Sequence, residues 1–274
     1  MTPDSDKFAR LGRPSRVWAI SALHCDVERL TALHDHIWPL IQPGDRIVYL
    51  GNMIGHGAAL FETIHELLTF RRSLIALPGM LASDVVYLRG TQEEMWQKLL
   101  QLQFAPNPAD VLTWMLDQGV APTLRAYGGR PETGLAAARD GAVQLTRWTN
   151  DLRQTMRHAP GHTALFSALR RAAFDNSNTL LFVSAGLDPQ RPLAAQGDSF
   201  WWGARGFNAI TDPYEGFIRI VRGFDPNGGG ITVSEVTASL DGGTAHGGGT
   251  PNGGGTVVCA TVEADGTVSD ILEV

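Results

Sequence analysis

Cysteine is almost missing from this chain: there are two, Cys25 and Cys259. That excludes a disulfide-rich secreted scaffold and any cysteine-based zinc finger. No run of about 18 apolar residues occurs, so no membrane span is expected. The polar start from Met1 to Arg16 holds no apolar stretch of the signal-peptide kind. Positive charge is also short, with 22 Lys and Arg against 28 Asp and Glu and a net charge of −6. A nucleic-acid binder would need a basic footprint, so that class is set aside. Charged residues make up only 18% of the chain and hydrophobic ones 43%, which argues against disorder. There is no Walker A sequence, no Gly-x-Ser-x-Gly elbow and no internal repeat. The expectation is a soluble, cytoplasmic, globular protein whose 274 residues suffice for a sizeable core.

What the chain has in excess is glycine, 31 residues beside 15 prolines, with no collagen-like period. Short β-rich runs alternate with helical patterns through the first half. Val17–Ile20, Arg46–Leu50 and Asp84–Leu88 read as strands. Val27, Leu30, Leu33 and Ile37 fall at helical spacing, and Pro39 and Pro43-Gly44 end that helix. Leu60, Phe61, Ile64, Leu67 and Leu68 form an amphipathic stripe, and Glu93–Gln103 reads as a third helix. From Pro108 to Phe174 the pattern is helical, with one long helix expected over Leu135–Arg157 and a shorter one over His162–Phe174. Strand character returns at Leu180–Val183, Phe217–Val221, Ile231–Leu240 and Val257–Val262. Strand–helix alternation of this kind favours an α/β layered domain.

In such sheets ligands gather at the loops that leave the carboxyl ends of strands. Here those loops read Ser21-Ala22-Leu23-His24-Cys25, Gly51-Asn52-Met53-Ile54-Gly55-His56-Gly57, Arg89-Gly90-Thr91-Gln92-Glu93, Ser184-Ala185-Gly186 and Gly223-Phe224-Asp225-Pro226. In this order they resemble the calcineurin-like metallophosphoesterases, specifically the bacterial serine/threonine protein phosphatase and diadenosine tetraphosphatase branch. Trp114, Gly119, Thr123-Leu124 and Tyr127-Gly128 look like a conserved block of that family's cap, Pro160-Gly161-His162 like its helix start, and Asp241-Gly242-Gly243 like its last strand end. The resemblance implies an α/β fold in which two β-sheets form a sandwich flanked by helices. It implies one domain over 1–274, with a polar N-terminal tail at 1–16, a helical cap insertion at 105–178 and Gly-rich loops at 223–255.

The family holds two divalent cations (Mn, Fe or Zn) with six side chains. Carried over by position, its ligands fall on Ala22, His24, Asn52, Thr91, Ser184 and Phe224, and its acid-assisting histidine falls on Gln92. Its Asp-Arg pair falls on Gly55 and His56. Only His24 is retained. Ala22 and Phe224 offer no ligand, and Asn52 lacks the charge that bridges two cations. Gln92 has no proton to transfer at neutral pH. No catalytic residue, no metal and no cofactor is therefore expected, with His24 and Asn52 the residual metal candidates.

The reading is a catalytically inactive phosphatase-like protein that binds a protein partner or a phosphorylated small molecule. His24, Asn52, His56, Arg89 and Arg205 are its candidate anion or ligand contacts. One alternative is an active phosphoesterase with replacement ligands drawn from Asp26, His56, Asp241 or His246. Another is a metal-free phosphate or nucleotide sensor built on Arg89, Arg205 and loop amides. Each has a plainer reading: a hydrogen-bonded histidine at His24, a solvated loop histidine at His56, a structural ion pair at Arg89. His34 and His36 lie two apart on a helix and face different ways, so they do not form a joint site. Cys25 has no base partner beyond the adjacent His24.

Overall fold

A computed structural model describes residues 7–245 and 255–274. The first half contains strands β1 (Phe8–Arg10), β2 (Arg16–Ile20), β3 (Arg46–Tyr49) and β4 (Val85–Tyr87). Helices α1 (Val27–Ile37), α2 (Leu60–Ile75) and α3 (Thr91–Leu99) separate or follow them. Asp26 caps α1 by accepting from the Arg29 amide at 3.1 Å, and a short turn at Trp38–Leu40 carrying Pro39 follows its end.

The middle is the helical insertion: α4 (Pro108–Met115), a kinked turn at Leu116–Val120, α5 (Ala121–Ala126), α6 (Pro131–Asp140), α7 (Ala142–His158) and α8 (His162–Ala168). The single helix expected over Leu135–Arg157 is two. Gly141 at φ 103° turns the chain between α6 and α7, a conformation only glycine adopts without strain. The helix expected over His162–Phe174 stops at Ala168, and Ala172–Phe174 is strand β5.

After β5 come β6 (Leu180–Val183), short helices α9 (Ser199–Trp202) and α10 (Ala204–Phe207), then β7 (Arg219–Arg222). The strand expected over Ile231–Leu240 is a hairpin of β8 (Ile231–Val233) and β9 (Thr237–Leu240), and the chain closes on β10 (Val258–Glu263) and β11 (Val268–Glu273). Two sheets result, in the orders β1-β5-β6-β7-β9-β8 and β11-β10-β2-β3-β4. β2, β3 and β4 run parallel, as do β6, β7 and β9, so their carboxyl ends gather within each sheet.

The 1–16 stretch expected to be a polar tail supplies β1, which pairs with β5. Leu11 is buried, and Phe8 packs on Phe174 and Phe200. Three residues are too few for an alternation to stand out in sequence. Between the sheets lies an apolar layer that includes Val17, Ala19, Val48, Val86, Phe182, Val221 and Ala260. The other face of the five-stranded sheet is covered by α1, α2, α3 and the cap through Ile20, Leu30, Ile64, Trp96 and Tyr127. The other face of the six-stranded sheet is covered by Phe200, Trp201 and Phe207 of α9 and α10. No helix among the described residues is long and apolar enough to cross a membrane.

Candidate functional site

The loop after β2 turns sharply: His24 and Cys25 take φ values of 48° and 62°. Such left-handed geometry costs a non-glycine residue about 1–2 kcal/mol and persists only where its surroundings impose it. The loop after β3 imposes it. The Asn52 carbonyl accepts from the amides of Leu23 (3.0 Å) and His24 (2.8 Å), and the Met53 carbonyl accepts from Cys25 (3.0 Å). Asn52 and His56 are themselves left-handed, at φ 54° and 56°.

Glu93 holds this second loop. Its buried carboxylate accepts from the amides of Gly90 (2.7 Å), Asn52 (2.9 Å) and Ile54 (3.1 Å). Burial raises its pKa, against the pull of those same three amides. Gly90 must be glycine, because a Cβ there would stand 2.2 Å from the Asn52 amide nitrogen. The Asn52 side-chain oxygen is taken by the Gln92 amide at 2.9 Å. Its Nδ2 is buried without a hydrogen-bond partner among the described residues, as are Ser184 Oγ and Gln92 Oε1.

The opposite wall is apolar. Ala22, Ala185 and Phe224 form one buried cluster with Ala245 against it. The His24 ring meets Phe224 edge-on at 5.6 Å and His56 at 4.7 Å. Behind this wall Arg222, buried, reaches Asp225 at 2.6 Å and Ser239 at 3.0 Å and lies over the Phe207 ring. Burial lowers the Arg222 pKa while Asp225 and Asp241 oppose the shift.

The cap closes over the site at its kink. Gly119 at φ 95° accepts from the His56 amide at 2.9 Å, and a Cβ there would press 2.5 Å from the His56 ring. Gln92 Nε2 donates to the Gln118 carbonyl at 2.7 Å and reaches His56 Nε2 at 3.1 Å. The position expected to lack an acid thus ties the cap to the second loop.

Ala22, His24, Asn52, His56, Gln92, Ser184 and Phe224 therefore come together, and three other candidates do not. Thr91 turns away to donate to the Trp201 carbonyl at 3.0 Å. Arg89 pairs with Glu94 at 3.2 Å, and its carbonyl accepts from Trp201 Nε1 at 2.8 Å. Arg205 is exposed on α10 with no hydrogen bond or ion pair to the cluster. Of the replacement ligands considered, Asp26 is engaged with Arg29, Asp241 lies by Arg222, and His246 falls outside the described residues. Cys25 is buried, and burial pushes its thiol pKa far up. Sequence reading missed Glu93, although a Glu three residues past Gly90 is a capping-box spacing. It also missed the buried Arg222–Asp225 pair. Among the described residues, no three His, Cys, Asp or Glu side chains stand as a metal site.

No family model matches the chain. No curated protein matches it. Solved structures do. A candidate diadenosine tetraphosphatase is 16% identical over 98% of this chain and 97% of its own, with a TM-score of 0.52. A protein serine/threonine phosphatase from Saccharomyces cerevisiae is 14% identical over 98% of this chain and 82% of its own, with a TM-score of 0.53. At these identities the likeness is one of fold: the chain shares the two-sheet α/β fold of these two phosphatases.

Proposed function

We propose that this phosphatase-like protein has given up metal-dependent phosphoester hydrolysis and acts by binding a partner protein. The observation that carries the reading is the apolar cluster of Ala22, Ala185 and Phe224 at the strand ends. A two-metal centre needs anionic oxygen and imidazole donors to replace lost hydration and a carboxylate to bridge. The donors present do not suit it. Asn52 is neutral and its oxygen is occupied. Glu93 is a carboxylate, but it is committed to three backbone amides. A phosphorylated ligand finds little support either, since Arg89 is paired with Glu94 and Arg205 stands apart from the cluster. The strand-end loops are fixed by left-handed turns and a contact to the cap, and this favours a shaped surface.

The test is elemental analysis of the purified chain paired with an activated aryl phosphate assay. The expected result is well under one equivalent of Mn, Fe, Zn or Ni, with no turnover on metal addition. Stoichiometric metal with turnover that a chelator abolishes overturns the proposal.

A further inference from the structure

A cavity of about 490 Å³ opens between the start of α1, the first turns of α2 and the start of α8. It is lined by Val27, Phe61, Glu62, His65, Glu66, Pro160 and His162. No Lys or Arg lines it, and two carboxylates do. Glu62 is exposed and forms no ion pair or hydrogen bond among the described residues. Glu66 is held ionised by its hydrogen bond to His34 at 2.5 Å, which lowers its pKa.

The wall is aromatic. The Phe61 ring, 38% exposed, leans on His162 at 4.6 Å and Tyr127 at 5.8 Å, and Tyr127 stacks on Trp96 at 4.9 Å. His162 is only 2% exposed, yet it lines the cavity. Its Nδ1 is engaged by the Tyr127 hydroxyl at 2.7 Å, which leaves Nε2 as a nitrogen without a protein partner among the described residues. Burial lowers the His162 pKa, so the ring adds no competing charge at neutral pH.

Two carboxylates and a half-open aromatic face together select a cation. A metal ion does not fit, because no three of the four titratable side chains stand as a metal site. The cation must instead be broad enough to reach several walls at once. A guanidinium is planar, stacks on aromatic faces and carries five N–H donors in a fixed fork, whereas an ammonium is a compact, strongly hydrated point. We infer that this cavity takes the guanidinium group of an arginine side chain presented by the partner protein. This rests on the binding reading above and gives that partner a basic contact residue.

The test uses the full-length, isotope-labelled chain titrated with N-acetyl-arginine amide, with the citrulline and lysine analogues alongside. The arginine probe is expected to shift amide resonances of residues 61–66 and 160–162, the lysine probe to shift them less, and the citrulline probe not at all. Glu62→Gln, at an exposed position, should leave the melting temperature unchanged and weaken arginine binding by about tenfold. Phe61→Ala should weaken it independently. Absence of shifts with arginine up to the solubility limit overturns the proposal. So does an equal response to citrulline, or arginine binding untouched by Glu62→Gln. Saturation of the same resonances by one equivalent of zinc would make the cavity a metal site instead. The metal and phosphatase assays read the cluster around His24 and Asn52, so failure of that reading and failure of this one give different results.

Discussion

The two sheets deliver their loops to one place and have treated them differently. Loops leaving β2, β3 and β4 keep their backbone almost as a mechanism: left-handed turns at His24, Cys25, Asn52 and His56, pinned by Glu93. Loops leaving β6 and β7 carry apolar side chains, Ala185 and Phe224, backed by the buried Arg222–Asp225 pair. The difference teaches that loop conformation and loop chemistry are separable. Conformation is fixed by backbone hydrogen bonds and glycines, so the side chains these loops present can change without unravelling the turn.

The largest break in this comparison is Glu93→Ala. It strands three buried amides and is expected to cost about 4 kcal/mol, read from denaturant unfolding. Glu93→Gln keeps one carbonyl oxygen and should cost visibly less. If the two variants are equally stable, the carboxylate does not hold the loop.

Next comes the other side. Arg222→Met leaves Asp225 as a buried, uncompensated charge, with an expected loss of about 3 kcal/mol by the same measurement. A near-neutral result would show Asp225 solvated and the apolar side looser than described.

Gly119→Ala probes where the cap meets the loops leaving β2 and β3. It puts a side chain on a left-handed residue and against the His56 ring, for about 2 kcal/mol. Hydrogen exchange should quicken at 116–120 and 51–57 together. Quickening at 116–120 alone would uncouple the cap from the site.

The smallest effect is in pH. Burial lowers the pKa of both His34 and His162, so the unfolded chain takes up protons near pH 6.5 that the folded chain refuses. Stability is therefore full above pH 6.5 and falls as the solution is acidified below it. The Glu66 share, whose folded pKa is lowered, is lost only below the ordinary carboxylate range near pH 4.5. His34→Gln should flatten the upper part of this acid slope in thermal melts. An unchanged slope would assign it elsewhere.

Much of this was legible from residues alone where a period is long. The α1 and α2 stripes and the parallel strands of the first half stand out because each repeats over several turns or a buried run. Short or broken elements did not. β1 and β5 are three residues each and are held by pairing with distant strands, β1 with β5 and β5 also with β6, and a single Gly141 splits a helical pattern that periodicity reads straight through. The site divides the same way. Strand-end loops announced themselves by order and composition, and the substituted positions at Ala22, Asn52 and Phe224 do meet. The Arg89 guanidinium turns to Glu94, and Thr91 turns elsewhere because the carbonyl of Trp201, 110 residues away in sequence, accepts its hydroxyl. That proximity has no local signature.

The central claim is that the scaffold of a metal centre is kept while its donors are gone. It is tested most directly by restoring them together, as Ala22→Asp, Asn52→Asp, Thr91→Asn, Ser184→His and Phe224→His in one chain, and comparing metal content with the parent after identical loading. The account predicts that the restored chain retains divalent metal through desalting and the parent does not. Equal retention by both, or retention by neither in a folded restored chain, contradicts it.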